Sequence, residues 1–437
     1  MNNKFILLRD RIHGFSSRYI QAALVVFLMK WILIAGMVGI LAGSASALFL
    51  AGLELATDSR MSHPWLLYLL PVGGAFMSYL YYKYGKNAGK GNNLILEAIH
   101  HGKETIPLRM APLVLGGTIL THLFGGSAGR EGTAIQMGGS LAARLGRLLR
   151  LDAADTRIIL MCGISGGFGS VFGTPLAGTV FALEVLAIGM MRYEALLPCF
   201  IAGFVGSVVT DAWGIHHVHF NIGSVPALSW LVLLKVLIAS IAFGLTALLF
   251  STLTHWVKKV YVQWIKHPAM RSFVGGLVII LLVFIFGSRD YLGLGIPLIE
   301  QAFGGQVPDF AFLAKLLFTA LTLGAGFLGG EVTPLFVIGA TLGSTLGAVF
   351  HEPFGFFAAL GFIAVFSGAA NTPLACFVMG IELFGSGASV YMLLACIVAY
   401  LFSGHTGIYT SQQVGASKSK LFILKGGETL SDLNRKE

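Results

Sequence analysis

Charge is what this chain has least of. Asp, Glu, Lys and Arg together make up 11% of its 437 residues, 56% are hydrophobic, and the mean hydropathy is +0.80. A soluble protein of this length could bury a large core, but it would need a more charged skin. Cysteine is also sparse. Cys162, Cys199, Cys376 and Cys396 all lie in apolar runs, at no metal-binding or disulfide-framework spacing. They read as small packing residues. No stretch after Tyr409 reads as a folded soluble domain or sensor region, and composition makes the last ~25 residues a short polar tail.

What is present is apolar length. "WILIAGMVGILAGSASALFLAGL" (31–53) and "ALSWLVLLKVLIASIAFGLTALLF" (227–250) are each long enough to span a hydrocarbon layer of ~30 Å. Such runs recur from end to end, which predicts an all-α polytopic membrane protein set in the lipid bilayer. The first run is long and lacks a cleavage site, unlike a cleaved leader. The net charge of +9 is explained by the positive-inside rule rather than by nucleic acid. Lys4, Arg9, Arg11 and Arg18 precede the first run, and Lys418, Lys420, Lys425, Arg435 and Lys436 follow the last. Both termini are therefore expected in the cytoplasm.

The chain repeats itself. Gly89, Gly91, Leu94, Ile95 and Ala98 match Gly293, Gly295, Leu298, Ile299 and Ala302. Gly129, Glu131, Thr133 and Gly139 match Gly329, Glu331, Thr333 and Gly339. Thr174, Pro175, Leu176, Ala177, Val180 and Glu184 match Thr372, Pro373, Leu374, Ala375, Val378 and Glu382. Subtracting residue numbers gives offsets of 204, 200 and 198, in one order. The expected organisation is an N-terminal cytoplasmic segment (1–29), two homologous halves (30–222 and 228–415) and a short cytoplasmic tail (416–437). Repeats of this kind commonly have opposed topology, with an ion site at their interface. Parallel halves would leave the same trace.

The stretch "GGSAGREGTAIQMGG" (125–139) carries the chemistry. Its glycines permit close backbone approach and unusual dihedrals. From Thr133 the pattern is helical and ends in Arg144, Arg147 and Arg150, a basic face at a membrane edge. At ~1.5 Å per residue Glu131 lies about 20 Å from Arg144, near mid-membrane. A helix N-terminus offers unpaired N–H groups and partial positive charge to an anion. It offers them equally to a carboxylate, so Glu131 could hold the anion's place when ionised and leave it when protonated. An intramembrane carboxylate is a functional-site hypothesis by default. Pairing with Arg130, or capping of its own helix, is the structural alternative.

"GGEVTPLFVIGA" supplies the counterpart, with Glu331, Val332, a Thr333 hydroxyl, and Pro334 suited to a first helical turn. Two such starts converging on a midplane pocket would make an anion site from Gly129, Arg130, Gly132, Thr133, Val332 and Thr333, with no metal or cofactor. "GKGNN" (89–93) is a third glycine-rich break, where Asn92 and Asn93 add amide donors, although ordinary turn chemistry produces the same letters. Tyr409 could donate a phenolic hydrogen bond, but as an interface aromatic it reads first as part of a membrane belt. "HHG" (100–102) and "HHVH" (216–219) invite a metal-enzyme reading. No HEXXH-like spacing accompanies them, so His216, His217 and His219 read as a solvated loop between the halves. A ligand-regulated receptor is disfavoured for want of a sensor region.

Together these blocks resemble the CLC family of chloride channels and anion/proton antiporters. "GREGT" looks like the family's G(K/R)EGP, "GGEVTP" sits where it has GxFxP, and "GKGNN" where it has GSGxP. "FGTPLAGTVFALEV" (172–185) resembles its NAPLAG-type segment, and Tyr409 falls at its C-terminal pore tyrosine. The likeness implies a homodimer with one pore per subunit and an inverted repeat of tilted, broken helices. The departures resemble the fluoride branch of the family: Thr133 replaces a proline, and Lys90, Asn92 and Asn93 compete for the place of a serine. That branch is implied to export fluoride in exchange for protons, with Glu131 as the gating and coupling carboxylate and Glu331 as a second candidate for coupling. A chloride/proton antiporter or chloride channel of the same family is the alternative. The relay glutamate of conventional members would fall at Val185, beside Glu184, and a valine carries no proton.

Overall fold

The computed structural model describes residues 20–102, 104–217, 220–419 and 427–433. It is almost wholly helical, as the apolar runs predict. The first part of the chain forms α1 (Ile20–Ser62), α2 (Leu70–Leu80), α3 (Asn92–His101), α4 (Met110–Leu123), α5 (Glu131–Leu148), α6 (Ala153–Phe172), α7 (Pro175–Glu184) and α8 (Leu196–Ala212). The second part forms α9 (Trp230–Trp264), α10 (Pro268–Phe286), α11 (Ile296–Phe303), α12 (Ala311–Gly324), α13 (Val332–Phe350), α14 (Phe354–Ala370), α15 (Pro373–Phe384) and α16 (Ser389–Phe402). A short α17 (Leu430–Leu433) follows.

Five helices among the described residues are long and apolar enough to cross a membrane: Gln21–Ser62, Tyr193–Ala212, Trp230–Trp264, Pro268–Phe286 and Val332–Phe350. Others, such as α3 and α11, are too short to span. At membrane depth such breaks are tolerated where the backbone is buried in protein or lines a cavity. With 43 residues, α1 would extend roughly 65 Å, about twice the hydrocarbon thickness, so it runs obliquely or projects beyond it.

One boundary differs from expectation. The helix starts at Ile20 rather than near residue 30, because "AALVVFLM" (22–29) is itself apolar and nothing in it breaks a helix. Leu24, Val25 and Met29 are exposed, as lipid-facing residues would be. The basic residues Lys4, Arg9, Arg11 and Arg18 lie outside the described residues, as do Lys420, Lys425, Arg435, Lys436 and His219.

Contacts recur at matching places. Lys30 of α1 pairs with Asp155 at the start of α6. Lys235 of α9 pairs with Glu352 just before α14, at 2.5 Å. Glycine does the close packing between helices, as expected where a lipid environment gives little hydrophobic drive. A Cβ on Gly138 of α5 would stand 2.2 Å from the Gly163 carbonyl of α6. On Gly339 of α13 it would stand 2.1 Å from the Gly361 carbonyl of α14. Neither pair could approach so closely with any side chain.

The two PLA segments cap one another. Glu382, near the end of α15, accepts the Leu176 and Ala177 N–H groups at 2.9 and 2.7 Å in the first turn of α7. Glu184, at the end of α7, accepts those of Leu374 and Ala375 at 3.2 and 2.8 Å in the first turn of α15. Each carboxylate meets the positive end of a helix, a favourable pairing. All four cysteines are buried and free.

The residues around the end of the second half are well held. Gln413–Val414 pairs in parallel with Ala187–Ile188, and Leu430 is buried. Gln412 is fully buried: its amide donates to the Val185 and Ala370 carbonyls at 3.0 and 3.1 Å and accepts from Asn371 at 3.0 Å. The polar residues just ahead of the expected tail (416–437) are thus held by satisfied hydrogen bonds.

Candidate functional site

The site begins where two glycine-rich loops meet. Gly129 and Gly330 exchange both backbone hydrogen bonds, at 2.6 and 2.8 Å, in an antiparallel bridge. The bridge sets the starts of α5 and α13 side by side. Hydroxyls support it from behind: Ser127 Oγ lies 2.9 Å from Thr319 Oγ1, and the Ser127 N–H donates to Thr322 at 3.2 Å. Imidazole does the same, since His122 bonds the carbonyls of Thr118 and Ala128 at 2.8 and 3.0 Å.

Glu131 is fully buried. One carboxylate oxygen accepts the Thr333 N–H at 3.0 Å and the Arg130 N–H at 3.1 Å. The other accepts the Thr333 hydroxyl and lies 3.7 Å from Arg130 Nε. The carboxylate thus bridges the N-cap residue of its own helix, Arg130, and the first turn of α13, with both Thr333 donors on the α13 side. No side chain caps the start of α5. Glu331 leans the other way, with a carboxylate oxygen 3.9 Å from where a Cβ on Gly132 would stand. Val332 is buried between them in the first turn of α13.

The residues foreseen at this site do not all face it. Thr133 is buried, but its hydroxyl bonds Thr118 of α4 at 2.7 Å, so it braces α5 against α4 and is turned away from the Glu131 carboxylate. Asn92 is brought in: its amide nitrogen would lie 3.0 Å from a Cβ on Gly132, contact that only glycine permits. Asn93 points elsewhere, accepting the Ser411 N–H at 2.9 Å. Lys90 turns outward to Glu97 and Glu104, at 2.7 and 3.2 Å. Those carboxylates, Glu97 first, hold its ammonium above the usual lysine range.

Tyr409 is buried and does not belong to a membrane belt. It meets the Phe181 ring edge-on at 6.2 Å. Its hydroxyl and the Asn92 carbonyl oxygen have no hydrogen-bond partner among the described residues. Both residues line one cavity of about 10 Å³, with Phe181 and Val185. Buried polar atoms are nearly always satisfied, so two orphans on one cavity call for an occupant. The room approaches what a single water needs, and a water can donate to the Asn92 oxygen and accept from the Tyr409 hydroxyl.

A second cavity of about 40 Å³ is lined by two residues that hold Glu131, Arg130 and Thr333. Arg130, Thr333 and His217 give it polar character, while Phe172, Phe220 and Phe336 make much of its wall. His217 therefore belongs to the site and not to a solvated loop. The HHVH spelling hid this, because the packing against Gly173 that seats it is a long-range contact. No three of His, Cys, Asp or Glu come together among the described residues.

Comparison with known proteins places this geometry. The model of the family described as voltage gated chloride channel matches residues 73–404. A chloride/fluoride channel protein of Pseudomonas syringae pv. tomato is 53% identical over 405 residues, covering 91% of this chain and 89% of the relative. An H+/Cl− exchange transporter of Yersinia pestis is 26% identical over 319 residues, covering 68% of this chain and 66% of that one. The crystal structure of a CLC-type fluoride/proton antiporter superposes with a TM-score of 0.86 at 38% identity, over 88% of this chain and 98% of the other. A slow cyanobacterial Cl−/H+ antiporter superposes with a TM-score of 0.76 at 21% identity, over 86% and 94%, which shows the shared fold alone.

Proposed function

We propose that this chain, which belongs to the voltage gated chloride channel family, exports fluoride from the cytoplasm in exchange for protons. The observation that carries the reading is the seat of Glu131. Its carboxylate occupies an N–H donor and a hydroxyl donor at the start of α13, where a small anion would be held. A protonated Glu131 gives up much of its attraction to those donors, and an anion takes its place. One group thus alternates between carrying a proton and competing with the anion, which couples the two fluxes.

Fluoride suits the site better than chloride does. It is small and holds its water tightly, so strong donors close together are needed to replace that shell. Thr333 offers two such donors and Asn92 an amide, beside the Tyr409 hydroxyl. The relative from Pseudomonas syringae and the antiporter of known structure both carry fluoride in their names. With Val185 at the expected relay position, coupling rests on Glu131, with Glu331 as the second carboxylate at the same junction.

The working assembly would be a homodimer in a bacterial cell membrane, with both termini cytoplasmic and the Arg144–Arg150 end of α5 facing the cytoplasm. An apolar recess of about 830 Å³ bounded by Leu176, Leu197, Phe200 and Val378 supports burial of that face against a second copy. The recurring ion pairs, caps and glycine contacts support two homologous halves spanning 30–222 and 228–415.

The test is ion preference. Purified protein in proteoliposomes loaded with fluoride or chloride is read by ion-selective electrode and a pH dye. Faster fluoride efflux accompanied by proton uptake supports the proposal. Chloride flux exceeding fluoride flux favours a chloride/proton antiporter, and flux without proton movement favours a channel.

A further inference from the structure

We propose that His217 relays protons between the outward solution and Glu131, taking the outward side as the one away from Arg144, Arg147 and Arg150. This rests on the antiport reading above. Glu131 is fully buried, so its proton must cross protein to reach solvent. The cavity of about 40 Å³ touches Glu131 through Thr333 and Arg130, the two residues that hold its carboxylate. Arginine keeps its proton at any physiological pH, and a threonine hydroxyl only passes one along. Among the described residues that line it, His217 alone has a side chain of the type that both takes up and releases a proton near neutrality.

The imidazole is seated for this task. It lies against Gly173, where φ is +69° and a Cβ would stand 2.5 Å from the ring, so a side chain there would displace it. Its side chain is 11% exposed, and Nε2 lies 3.9 Å from Asp211, whose carboxylate is 56% exposed. Asp211 therefore gives the ring an exposed carboxylate neighbour, while Thr333, which holds the Glu131 carboxylate, lines the same cavity as the ring. The cavity has room for a water between imidazole and site.

The step balances simply. The imidazolium gives one proton, through water, to the Glu131 carboxylate. The imidazole becomes neutral, the carboxylic acid leaves its donors, and Asp211 favours reloading of the imidazole from outside. Among the described residues, the charged groups facing the ring are Arg130 at the start of α5 and Asp211 near the end of α8. Gly173 after α6, Thr333 of α13, and the apolar residues of α11, α14 and α15 that line the cavity do not titrate in this range.

The experiment uses the full chain in proteoliposomes, with fluoride-driven proton uptake measured at outside pH from about 6 to 8. Wild type should slow as the outside pH rises across that range, because fewer imidazoles are loaded. His217→Gln should lower the rate by about tenfold or more and flatten the profile, and free imidazole outside should restore it. A variant with wild-type rate and profile overturns the relay. If His217→Gln does not fold, Asp211→Asn is read instead: its rate midpoint should move to lower pH, and an unmoved midpoint overturns the relay. A wild-type protein that moves fluoride without protons overturns the antiport reading itself, a result distinct from either of these.

Discussion

The carboxylate of Glu131 lies 3.0 Å from the backbone N–H of Thr333, across 202 positions of sequence. Each residue stands in the first turn of a different helix, and the Gly129–Gly330 bridge holds those helix starts together. A carboxylate that caps its own helix has little reason to leave. One that borrows the donors of a neighbouring helix occupies a place an anion can also use.

Thr333 and Thr133 hold equivalent places in the two matching motifs but do different things. Thr333→Val removes the hydroxyl that Glu131 accepts and keeps the N–H. Losing one charge-assisted hydrogen bond is worth about 1.5–3 kcal/mol, so fluoride turnover in liposomes should fall by about tenfold or more. Thr133→Val breaks only the bond to Thr118. It should lower the melting temperature in detergent and leave turnover within about threefold, at a cost of about 1 kcal/mol.

The adjacent asparagines should separate in the same way. Asn92→Ala removes an amide beside Gly132 and Tyr409, and should weaken fluoride binding and reduce preference over chloride. Asn93→Ala releases Ser411 and should lower stability by about 1 kcal/mol without altering preference. Equilibrium anion binding and thermal melts, run on both variants, check the pair.

Much of this arrangement was legible in the chain. Glycine before each helix start, the carboxylate–threonine pairs and the recurring blocks mark both helix ends in the sequence itself. What the letters did not carry was direction. Neighbouring positions on a helix point about 100° apart, so the rotation of α3 alone decides whether Asn92 or Asn93 faces Tyr409. The rotation of α5 likewise sends the Thr133 hydroxyl to Thr118. His217 and Gln412 were invisible for another reason: a polar residue in a polar stretch reads as solvated until long-range contacts bury it.

Gln412 gives that last point a test. Its buried amide ties the Val185 and Ala370 carbonyls and accepts from Asn371, three positions beyond Tyr409. Gln412→Leu leaves both carbonyls unsatisfied, at about 1–3 kcal/mol each. The protein should melt at markedly lower temperature. In the fraction that survives reconstitution, loosening of Tyr409 should slow fluoride transport.

Reciprocal capping of α7 and α15 makes a smaller prediction. Glu382→Ala strips two charge-assisted bonds from the first turn of α7. A helix-terminal carboxylate is worth about 0.3–2 kcal/mol, so thermal unfolding should show a modest loss and fluoride/proton coupling should not change.

The most direct measurement compares wild type with Glu131→Gln in liposomes carrying an outward fluoride gradient, recording fluoride and pH together. Glutamine fills the same space and never ionises. The account predicts that wild type takes up protons as fluoride leaves, and that the variant moves no protons whatever fluoride flux remains. Proton uptake in Glu131→Gln at the wild-type ratio to fluoride would contradict it.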